Sequence, residues 1–271
     1  MHPATEGHGQ DLTAWFDTPP GRYLLAWEQA CFDAAVDNLF GYNALQLGLP
    51  VLDALACNRM PHRWLALPEP LSDRPASSRP SLITHAAALP FPAASLDLVV
   101  LPHTLEFSAD PHAVLREVER VLVPEGRVVI AGMNPASLWG LRQRQARCLR
   151  WLGGSAREAG QLFLPETGEF IGHWRLRDWL RLLSFEVDTL RFGCYRPAVR
   201  SERWLQRYAW ADRLGQRWWP ILGAVYFLVA VKRVRGMHLL GPAWKPRRAA
   251  RASVAVSREP VRHQSTQEPL A

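Results

Sequence analysis

The stretch LPFPAASLDLVVLPHTLEFSADPHAVLREVERVLVPEG (Leu89–Gly126) decides the fold prediction. Residues 96–101 form a short, nearly continuous apolar run, which is typical of a strand buried on both faces. Asp110 followed by Pro111 predicts the start of a helix, because an aspartate side chain caps free N–H groups and proline fits the first turn. That helix carries one apolar stripe, made of Val114, Leu115, Val118, Val121 and Leu122. Gly126 ends it and RVVIA (127–131) predicts the next strand, so the order indicates a parallel sheet.

The rest of the chain repeats this alternation of helices and strands. Apolar spacing predicts helices over 24–40, 50–55 and 177–183, the first of them ended by Gly41. Short apolar runs predict further strands over 43–48, 63–67, 81–85, 185–192 and 225–231. Residues 68–80, rich in proline and serine, predict a loop, and residues 140–160 an irregular basic segment. The predicted fold class is α/β, a doubly wound, mostly parallel sheet of seven strands with helices on both faces.

Length and composition predict one large domain with decorations. Of the 271 residues, 48% are apolar, which is enough for a sizeable core over 13–244, with a helical insertion at about 138–180. Residues 1–12 and the basic tail 245–271 are predicted to be disordered. Four scattered cysteines indicate neither disulfides nor a zinc site and fit a reduced cytoplasm. The N-terminus lacks a signal-peptide pattern, and the longest apolar run, 218–231, is too short to cross a bilayer as a helix.

Charge and tryptophan content each leave alternatives open. The tail 245–271 holds six Lys/Arg and two Asp/Glu, so +4 of the formal charge of +7 lies there. Such a tail could contact RNA, DNA or an anionic membrane, although a solvated tail is the more ordinary interpretation. The twelve tryptophans, most of them after position 138, could line a pocket or face a membrane surface. Core packing is again the more ordinary interpretation.

Two motifs carry a resemblance to a known family. The stretches ALPFPAASLDLVVLPHTLEF (88–107) and LREVERVLVPEGRVVIAG (115–132) resemble class I S-adenosylmethionine-dependent methyltransferases of the methyltransferase type 11 group. In that family a "D-x-V" strand ends at the ligand, and an "L-x-P-G-G" turn, here residues 122–126, leads to the fifth strand. The resemblance implies a Rossmann-like class I methyltransferase fold, S-adenosylmethionine as the cofactor, and methyl transfer to a small or lipid-like acceptor.

The resemblance also implies which residues hold the cofactor. The family's first motif, acidic-x-G-x-G, falls on Gln46, Gly48 and Pro50, so one glycine is kept while the acid and the second glycine are replaced. Glu69 is the nearest candidate for the acid that binds the ribose hydroxyls. The adenine site falls on three residues of one loop, and the end of the fourth strand completes the set: His85, Ala86 and Leu89, then Leu101 and Pro102. The two replacements leave open an alternative, a catalytically inactive scaffold or regulatory protein with a protein partner.

His103 is the candidate catalytic residue. In this family methyl transfer occurs at the end of the fourth strand, where His103 could accept a proton from the acceptor or orient it. The alternative is that His103 caps the next helix or packs beside Glu106. Asn134 and Pro135 could line the acceptor pocket or form a simple turn, and the aromatic residues expected over the acceptor are Trp139, Trp174 and Tyr195. Asp97 is expected to support the sheet, and the remaining histidines show no metal-ligand spacing.

Overall fold

The computed structural model of the chain describes residues 12, 14–69, 81–151, 162–165 and 168–233. The predicted disordered ends, 1–12 and 245–271, lie outside this described part except for Leu12, whose side chain is buried. The predicted domain bounds of 13–244 therefore stay a prediction. Among the helices of the described part, none combines the length and the apolar character that crossing a bilayer would take.

The centre of the fold is a sheet of seven strands. They are β1 (Asn43–Leu47), β2 (His62–Leu67), β3 (Ser81–Ile83), β4 (Leu96–Pro102), β5 (Leu122–Met133), β6 (Phe185–Gly193) and β7 (Val225–Lys232). Their order is β3-β2-β1-β4-β5-β7-β6, and β7 is antiparallel to both of its neighbours while the other pairs are parallel. This confirms the predicted α/β class and the seven-stranded, mostly parallel sheet. Strand order reverses between β1 and β4, so the carboxyl ends of these two strands lie side by side at one edge.

Six α-helices and one 3-10 turn are described. They are α1 (Pro19–Val36), α2 (Pro111–Val121), α3 (Leu138–Trp151), α4 (His173–Leu182), α5 (Glu202–Arg207), α6 (Trp210–Trp218) and the turn Pro220–Leu222. The predicted capping of α2 is confirmed, because the Asp110 side chain accepts from the N–H of Ala113 at 2.9 Å. Helix α1 begins five residues before the predicted start at Leu24, since Thr18 caps it and two prolines follow. Apolar spacing alone could not locate that start, because the first turn carries no apolar stripe.

Helices cover both faces of the sheet, as predicted. On one face α1 packs Leu24, Phe32 and Val36 against strand residues that include Val100 and Val129. On the other face α2 and α4 pack against strand residues that include Val99 and Val128, through Val114, Leu115, Val118, Val121, Leu176 and Leu180. Successive apolar residues along β4 and β5 thus pack alternately into the cores on the two faces of the sheet. This explains why these strands are apolar throughout.

Two helix ends differ from the prediction, since α1 ends at Val36 and not at Gly41, and α2 ends at Val121 and not at Gly126.

Two further local predictions are wrong. Residues 50–55 form turns rather than a helix, because the side chain of Gln46 holds this segment in another shape, as described below. Residues 140–151, the first part of the segment predicted to be irregular, belong to α3. Within α3, Gly140 lies so close to Pro135 that a Cβ atom would stand 2.5 Å from its carbonyl oxygen. Gly140 is therefore a close packing contact inside a helix.

The predicted family turn between α2 and β5 is present as four residues of β5 that do not pair with β4. Leu122 pairs with Leu96 and Arg127 with Leu98, so residues 123–126 leave the ladder. Glu125 occupies the left-handed region with φ of 64°, a conformation that favours glycine. The expectation for Asp97 is confirmed, since its carboxylate accepts from the N–H groups of Tyr42 and Asn43 at 2.8 and 2.9 Å. It thereby fixes the start of β1 beside β4.

Candidate functional site

The residues predicted to hold the cofactor follow the strands β1 to β4 at one edge of the sheet. Gly48 comes directly after β1, Glu69 after β2, and His85 after β3, while Pro102 ends β4. Because β1 to β4 pair in parallel, these positions lie along the same edge. We call it the carboxyl rim. Glu69 and His85 are exposed and Gly48 is half-buried, so these three can be reached from solvent.

Gly48 has the backbone conformation that requires a glycine. Its φ is 74°, and its N–H donates to the carbonyl of Ala66 at 2.8 Å, which ties β1 to β2 at the rim. The hydroxyl of Thr104 donates to the carbonyl of Leu47 at 2.5 Å and ties β1 to the loop after β4. A Cβ atom on Gly48 would stand 3.5 Å from that hydroxyl, an ordinary contact. The glycine is therefore needed for the turn and not for space beside Thr104.

Gln46 shapes the loop that follows β1. Its amide nitrogen donates to the carbonyls of Leu49 and Leu52 at 3.0 and 2.7 Å, and its amide oxygen accepts from the N–H of Ala54 at 3.0 Å. The side chain is fully buried. A glutamate could not make these bonds to carbonyls, because a carboxylate has no N–H to donate. The replacement of the family's acid thus builds a loop of turns where a helix was predicted, and a contact between Gln46 and a cofactor stays a prediction.

The adenine candidates lie on a loop anchored by α2. Glu117 of α2 accepts from the N–H of Leu89 at 2.8 Å, and Arg120 donates to the carbonyl of Phe91 at 2.9 Å. Arg120 also holds Glu117 at 2.7 Å, and this partner lowers the pKa of the Glu117 carboxyl. Leu89 is buried, whereas Ala86 is half-buried and His85 exposed. The loop is therefore fixed at its base, with the predicted adenine partner at its open end.

His103 lies in a buried ionic cluster. Its Nδ1 lies 2.8 Å from a carboxylate oxygen of Glu106, and its Nε2 lies 2.8 Å from a carboxylate oxygen of Glu28 on α1. All three side chains are fully buried, and the second oxygen of Glu106 accepts from the N–H of Met133. His103 itself has a φ of 54°, so its backbone is strained at the point where β4 ends. The pairing with Glu106 that the sequence suggested is confirmed, and the catalytic role of His103 stays a prediction.

The cluster keeps a proton at neutral pH. Burial lowers the pKa of His103, but the carboxylates of Glu28 and Glu106 outweigh burial and raise this pKa to about 10. Burial raises the pKa of Glu106 in spite of the neighbouring imidazolium. The hydroxyl of Tyr226 is also near, and burial followed by the charge of Glu106 raises its pKa well above the ordinary value. His103 is therefore a buried cation between the side chains of Glu28 and Glu106.

Glu28 is the site residue that sequence reasoning missed. It lies on the buried side of α1, between Leu24 four residues before it and Phe32 four residues after it. A glutamate inside an apolar stripe is costly unless it is paired, so this position was a readable signal for a buried partner. The partner itself could not be read, because His103 is 75 residues away in the chain. One oxygen of Glu28 has no hydrogen-bond partner in the described part.

The candidates on the acceptor side separate into two groups. Asn134 is buried and donates to the carbonyls of Ile221 and Gly223 at 2.6 and 2.9 Å, which agrees with the simple turn. Trp139 is also buried and donates to the carbonyl of Arg196 at 2.7 Å. Trp174 is 56% exposed, and Tyr195 lines a groove. The expectation that the tryptophans pack in the core is wrong for an exposed set, Trp151, Trp174, Trp204, Trp210, Trp218 and Trp219.

The groove beside Tyr195 lies at the same edge of the sheet as the carboxyl rim. It has a volume of about 240 Å³ and is lined by apolar and aromatic residues, among them Tyr195, Trp210, Leu214, Trp219 and Leu222. Strands β5 and β6 run parallel to β4 and end at this edge, and β7 starts from it. Tyr195 follows the end of β6, and Leu222 precedes β7. The groove is apolar enough for an aliphatic or aromatic ligand.

The residues predicted for the two ends of S-adenosylmethionine differ in what they offer a ligand. At the nucleoside end, exposed His85 and Glu69 offer an acceptor for an amino group and a carboxylate for hydroxyls, and Leu89 offers an apolar wall. At the methionine end, the side chain that would replace the family's acid is buried and bonded to the loop. Binding of an adenosyl group by these residues stays a prediction, and the position of the family's acid offers no carboxylate to a ligand.

Comparison with known proteins gives matches in sequence and in fold. The family model described as "Methyltransferase domain" matches residues 71–130. The chain is 40% identical over 146 residues to the uncharacterized protein YafS of Escherichia coli K12, covering 54% of this chain and 52% of that protein. It is 29% identical over 142 residues to the uncharacterized protein Rv2003c of Mycobacterium tuberculosis, covering 51% and 49%. The chain spans about half the length of the curated relatives it matches.

Solved structures show the same fold at low identity. A chain from the complex between the Haloferax volcanii Trm112 methyltransferase activator and a proposed methyltransferase aligns with a TM-score of 0.57, at 16% identity over 86% of this chain and 100% of that one. The [4+2]-cyclase SpnF gives 0.53, at 15% identity over 86% and 98%. A SAM-dependent methyltransferase from Archaeoglobus fulgidus gives 0.51, at 16% identity over 77% and 94%. The family match and these alignments together confirm the predicted Rossmann-like class I methyltransferase fold.

Proposed function

We propose that the chain is an S-adenosylmethionine-dependent methyltransferase that acts on a small, lipid-like acceptor. One observation carries the proposal, namely that the family match and the carboxyl rim coincide. Residues 71–130 include the loop with His85 and Leu89 and the end of β4, and these parts lie at the edge where ligands bind in open parallel sheets. The apolar groove at the same edge supports a lipid-like acceptor.

In this proposal the chain aligns two ligands and does little chemistry of its own. Bound S-adenosylmethionine supplies an activated methyl group, so the protein's task is alignment in a pocket with little water. His85 accepts from the adenine amino group, Glu69 accepts from the ribose hydroxyls, and Leu89 packs against the base. The bare Cα of Gly48 lets a ligand approach the end of β1. The groove around Tyr195 orients the apolar part of the acceptor.

His103 enters the proposal as a positioning residue. Both of its ring nitrogens face carboxylates at 2.8 Å, so a proton exchange with an acceptor would first require one of these bonds to open. The cluster instead joins α1, the end of β4 and, through Met133, the end of β5. A direct catalytic role predicts that a neutral residue at this position abolishes transfer without affecting cofactor binding. A positioning role predicts that both fall together.

A second candidate function is suggested by Gln46. The Gln46 side chain is hydrogen-bonded to the loop after β1. This favours a scaffold or regulator that binds an adenosyl group without transferring a methyl group. One structural neighbour comes from a complex of a proposed methyltransferase with an activator protein, which makes a protein partner a reasonable companion to this function. The two candidates differ in whether the methionine part of the ligand contributes to affinity.

Calorimetric titration separates the candidates. S-adenosylhomocysteine and 5′-methylthioadenosine share the adenosyl group, and only the former has the amino acid. We expect saturable binding of both, with tighter binding of S-adenosylhomocysteine by the transferase. Equal affinities would favour the second candidate, and flat traces for both ligands would overturn the proposal. Transfer is then measured as labelled methyl from S-adenosylmethionine that partitions into organic solvent when a lipid extract is the acceptor.

A pair of histidine variants tests the location of the site. His85→Ala should weaken binding of S-adenosylhomocysteine about fivefold, because one hydrogen bond to the base is worth about 1 kcal/mol. His62→Ala is the matched control, since His62 is also exposed but begins β2 and therefore lies at the opposite edge of the sheet. Equal affinities for the two variants would place the adenine elsewhere.

A further inference from the structure

Helices α5 and α6 and the 3-10 turn after them expose an unusual number of large apolar side chains. We call this set, Trp204, Trp210, Leu214, Trp218, Trp219 and Ile221, the tryptophan face. Trp218 is 67% exposed, Trp219 59% and Trp210 58%. Trp210, Leu214 and Trp219 line the apolar groove together, and Tyr208, which also lines it, stacks on Trp204 at 6.0 Å between ring centroids. The exposed apolar surface is therefore continuous, and surfaces of this kind mark interaction sites.

The geometry of α6 places its apolar side chains beside arginines. Trp210, Leu214 and Trp218 recur every four residues and form one stripe along the helix. Arg213 and Arg217 are also four apart and form the neighbouring stripe, and both are exposed. Lipid-bound helices combine tryptophan or leucine on one side with lysine or arginine next to it.

The tryptophan face is held on a rigid base. The carboxylate of Asp212 accepts from the N–H of Tyr195 at 3.1 Å and from Arg196 at 2.9 Å, and the Tyr23 hydroxyl of α1 donates to it as well. Gly215 lies so close to the ring of Tyr195 that a Cβ atom would stand 2.2 Å from it. The inner side of α6 is therefore fixed against the body of the protein, and the outer side is preformed for a partner.

The net charge around the tryptophan face is positive. Residues 200–219 contain five arginines and two acidic residues, a net of +3, and Asp212 is one of the two acids. The other, Glu202, lies 3.8 Å from Arg22. Residues 138–149 of the neighbouring α3 contain three more arginines and no acid. A partner that complements this face is both apolar and anionic.

We propose that the tryptophan face docks on the surface of a bilayer that contains anionic lipids. Indole rings favour the headgroup region, where an apolar ring and a polar N–H are both accommodated, and arginines gain from anionic headgroups. The apolar groove then opens toward the lipid and admits part of an acyl chain. The docking does not depend on methyl transfer, because it uses only the shape, apolarity and charge of this surface.

Other occupants fit the face less well. Nucleic acid complements arginine and can stack on tryptophan, but it offers nothing to the exposed aliphatic side chains of Leu214 and Ile221. A second copy of this chain would bring the same positive charge to the contact. The tail 245–271 is positive as well, with a net of +4. Among these occupants, only a bilayer supplies both the aliphatic medium and the negative charge.

Vesicle co-sedimentation of the full chain tests the docking. We expect the protein to bind vesicles of phosphatidylcholine mixed with phosphatidylglycerol more tightly than vesicles of phosphatidylcholine alone. Trp210→Ala and Trp218→Ala should each weaken binding to the mixed vesicles about tenfold, since each removes a large apolar side chain from the interface. Arg213→Gln and Arg217→Gln should each weaken it about fivefold, and only on the mixed vesicles.

The matched control is Trp174→Ala. Trp174 is 56% exposed, almost the same as Trp210, but it belongs to α4, which packs on the opposite face of the sheet from α1. This variant should bind like the unchanged protein. A full chain with Lys245, Arg247 and Arg248 changed to glutamine separates the tail from the face, and it should keep the dependence on Trp210. Absence of vesicle binding, equal binding of the Trp210 and Trp174 variants, or binding that is lost with the tail charges alone would each overturn the proposal.

Discussion

The buried cluster of Glu28, His103 and Glu106 predicts that the protein loses stability as the pH rises above neutrality. In the folded chain the pKa of His103 is about 10, because the two carboxylates outweigh the effect of burial. In the unfolded chain it returns to about 6.5. Between these values the folded state holds a proton that the unfolded state has released, so the free energy of unfolding falls with pH. Over about pH 7 to about 8.5 the expected loss is about 2 kcal/mol, from about 1.4 kcal/mol per pH unit.

In this pH window His173 and the buried cysteines contribute less to the slope than the cluster of Glu28, His103 and Glu106. Burial, followed by the charge of Arg177, lowers the pKa of His173. The contribution of His173 to the free energy of unfolding therefore increases with pH, and most of this increase lies below about pH 7. Burial raises the pKa of Cys31 to about 12, and such a thiol costs stability only above its unfolded pKa of about 8.5. Cys194 behaves in the same way. The pKa of Glu106 is raised by burial, so any contribution from it has the same sign as that of His103.

Urea unfolding at a series of pH values measures the effect, with a constant m-value showing that the denatured state has not changed. In the triple variant Glu28→Gln, His103→Asn, Glu106→Gln the slope should disappear, because no titratable side chain of the cluster remains and asparagine tolerates the left-handed backbone of position 103. His85→Asn, at an exposed histidine, should keep the slope. An unfolding free energy that stays constant across the window in the unchanged protein would refute the reasoning, whatever the variants do.

Three further predictions concern single backbone and hydrogen-bonding features, each measured by urea unfolding. Gly48→Ala should lower the free energy of unfolding by about 1 kcal/mol, because φ of 74° is strained for alanine. A change near zero would contradict the argument that the turn requires glycine. Glu125→Gly should be more stable than Glu125→Ala by about 1 kcal/mol, since both lose the exposed pair with Arg233 and only glycine accepts φ of 64°. Asp97→Ala should cost about 2 kcal/mol through the two N–H groups it leaves unpaired at β1, and Asp97→Asn should cost less because one acceptor oxygen remains.

The strands could be predicted because burial on two faces leaves a strong pattern. Neighbouring residues such as Val99 and Val100 serve opposite cores, so the apolar run is unbroken and strand length is easily read. Helix α2 was readable for a different reason, since Asp110 and Pro111 mark its first turn. Glycine was less informative. Gly140 begins the segment predicted to be irregular, yet it lies inside α3, where it is in close contact with Pro135.

The candidate site was less predictable because its contacts are distant in sequence. The positions along the rim follow from strand ends and could be named in advance, as for Gly48 and His85. The pairing of His103 with Glu106, three residues away, could also be named, but the distant partners of the buried side chains could not. Glu28 meets His103 across 75 residues, and the amide of Gln46 reaches Leu52 only because the loop is folded in turns. A pattern in one segment carries no information on which element will pack against it.

Helix α1 supports the carboxyl rim, because the loop after β1 forms turns and no helix. Because 50–55 form no helix, α1 provides the long apolar stripe on that face, through Leu24, Phe32 and Val36. The same helix carries Glu28, whose carboxylate reaches the strained residue at the end of β4. The position of α1 and the shape of the rim are therefore linked by a buried charge as well as by packing. A ligand that orders the rim should for this reason also stabilise α1, and hydrogen exchange of the α1 amides with and without S-adenosylhomocysteine would reveal the linkage.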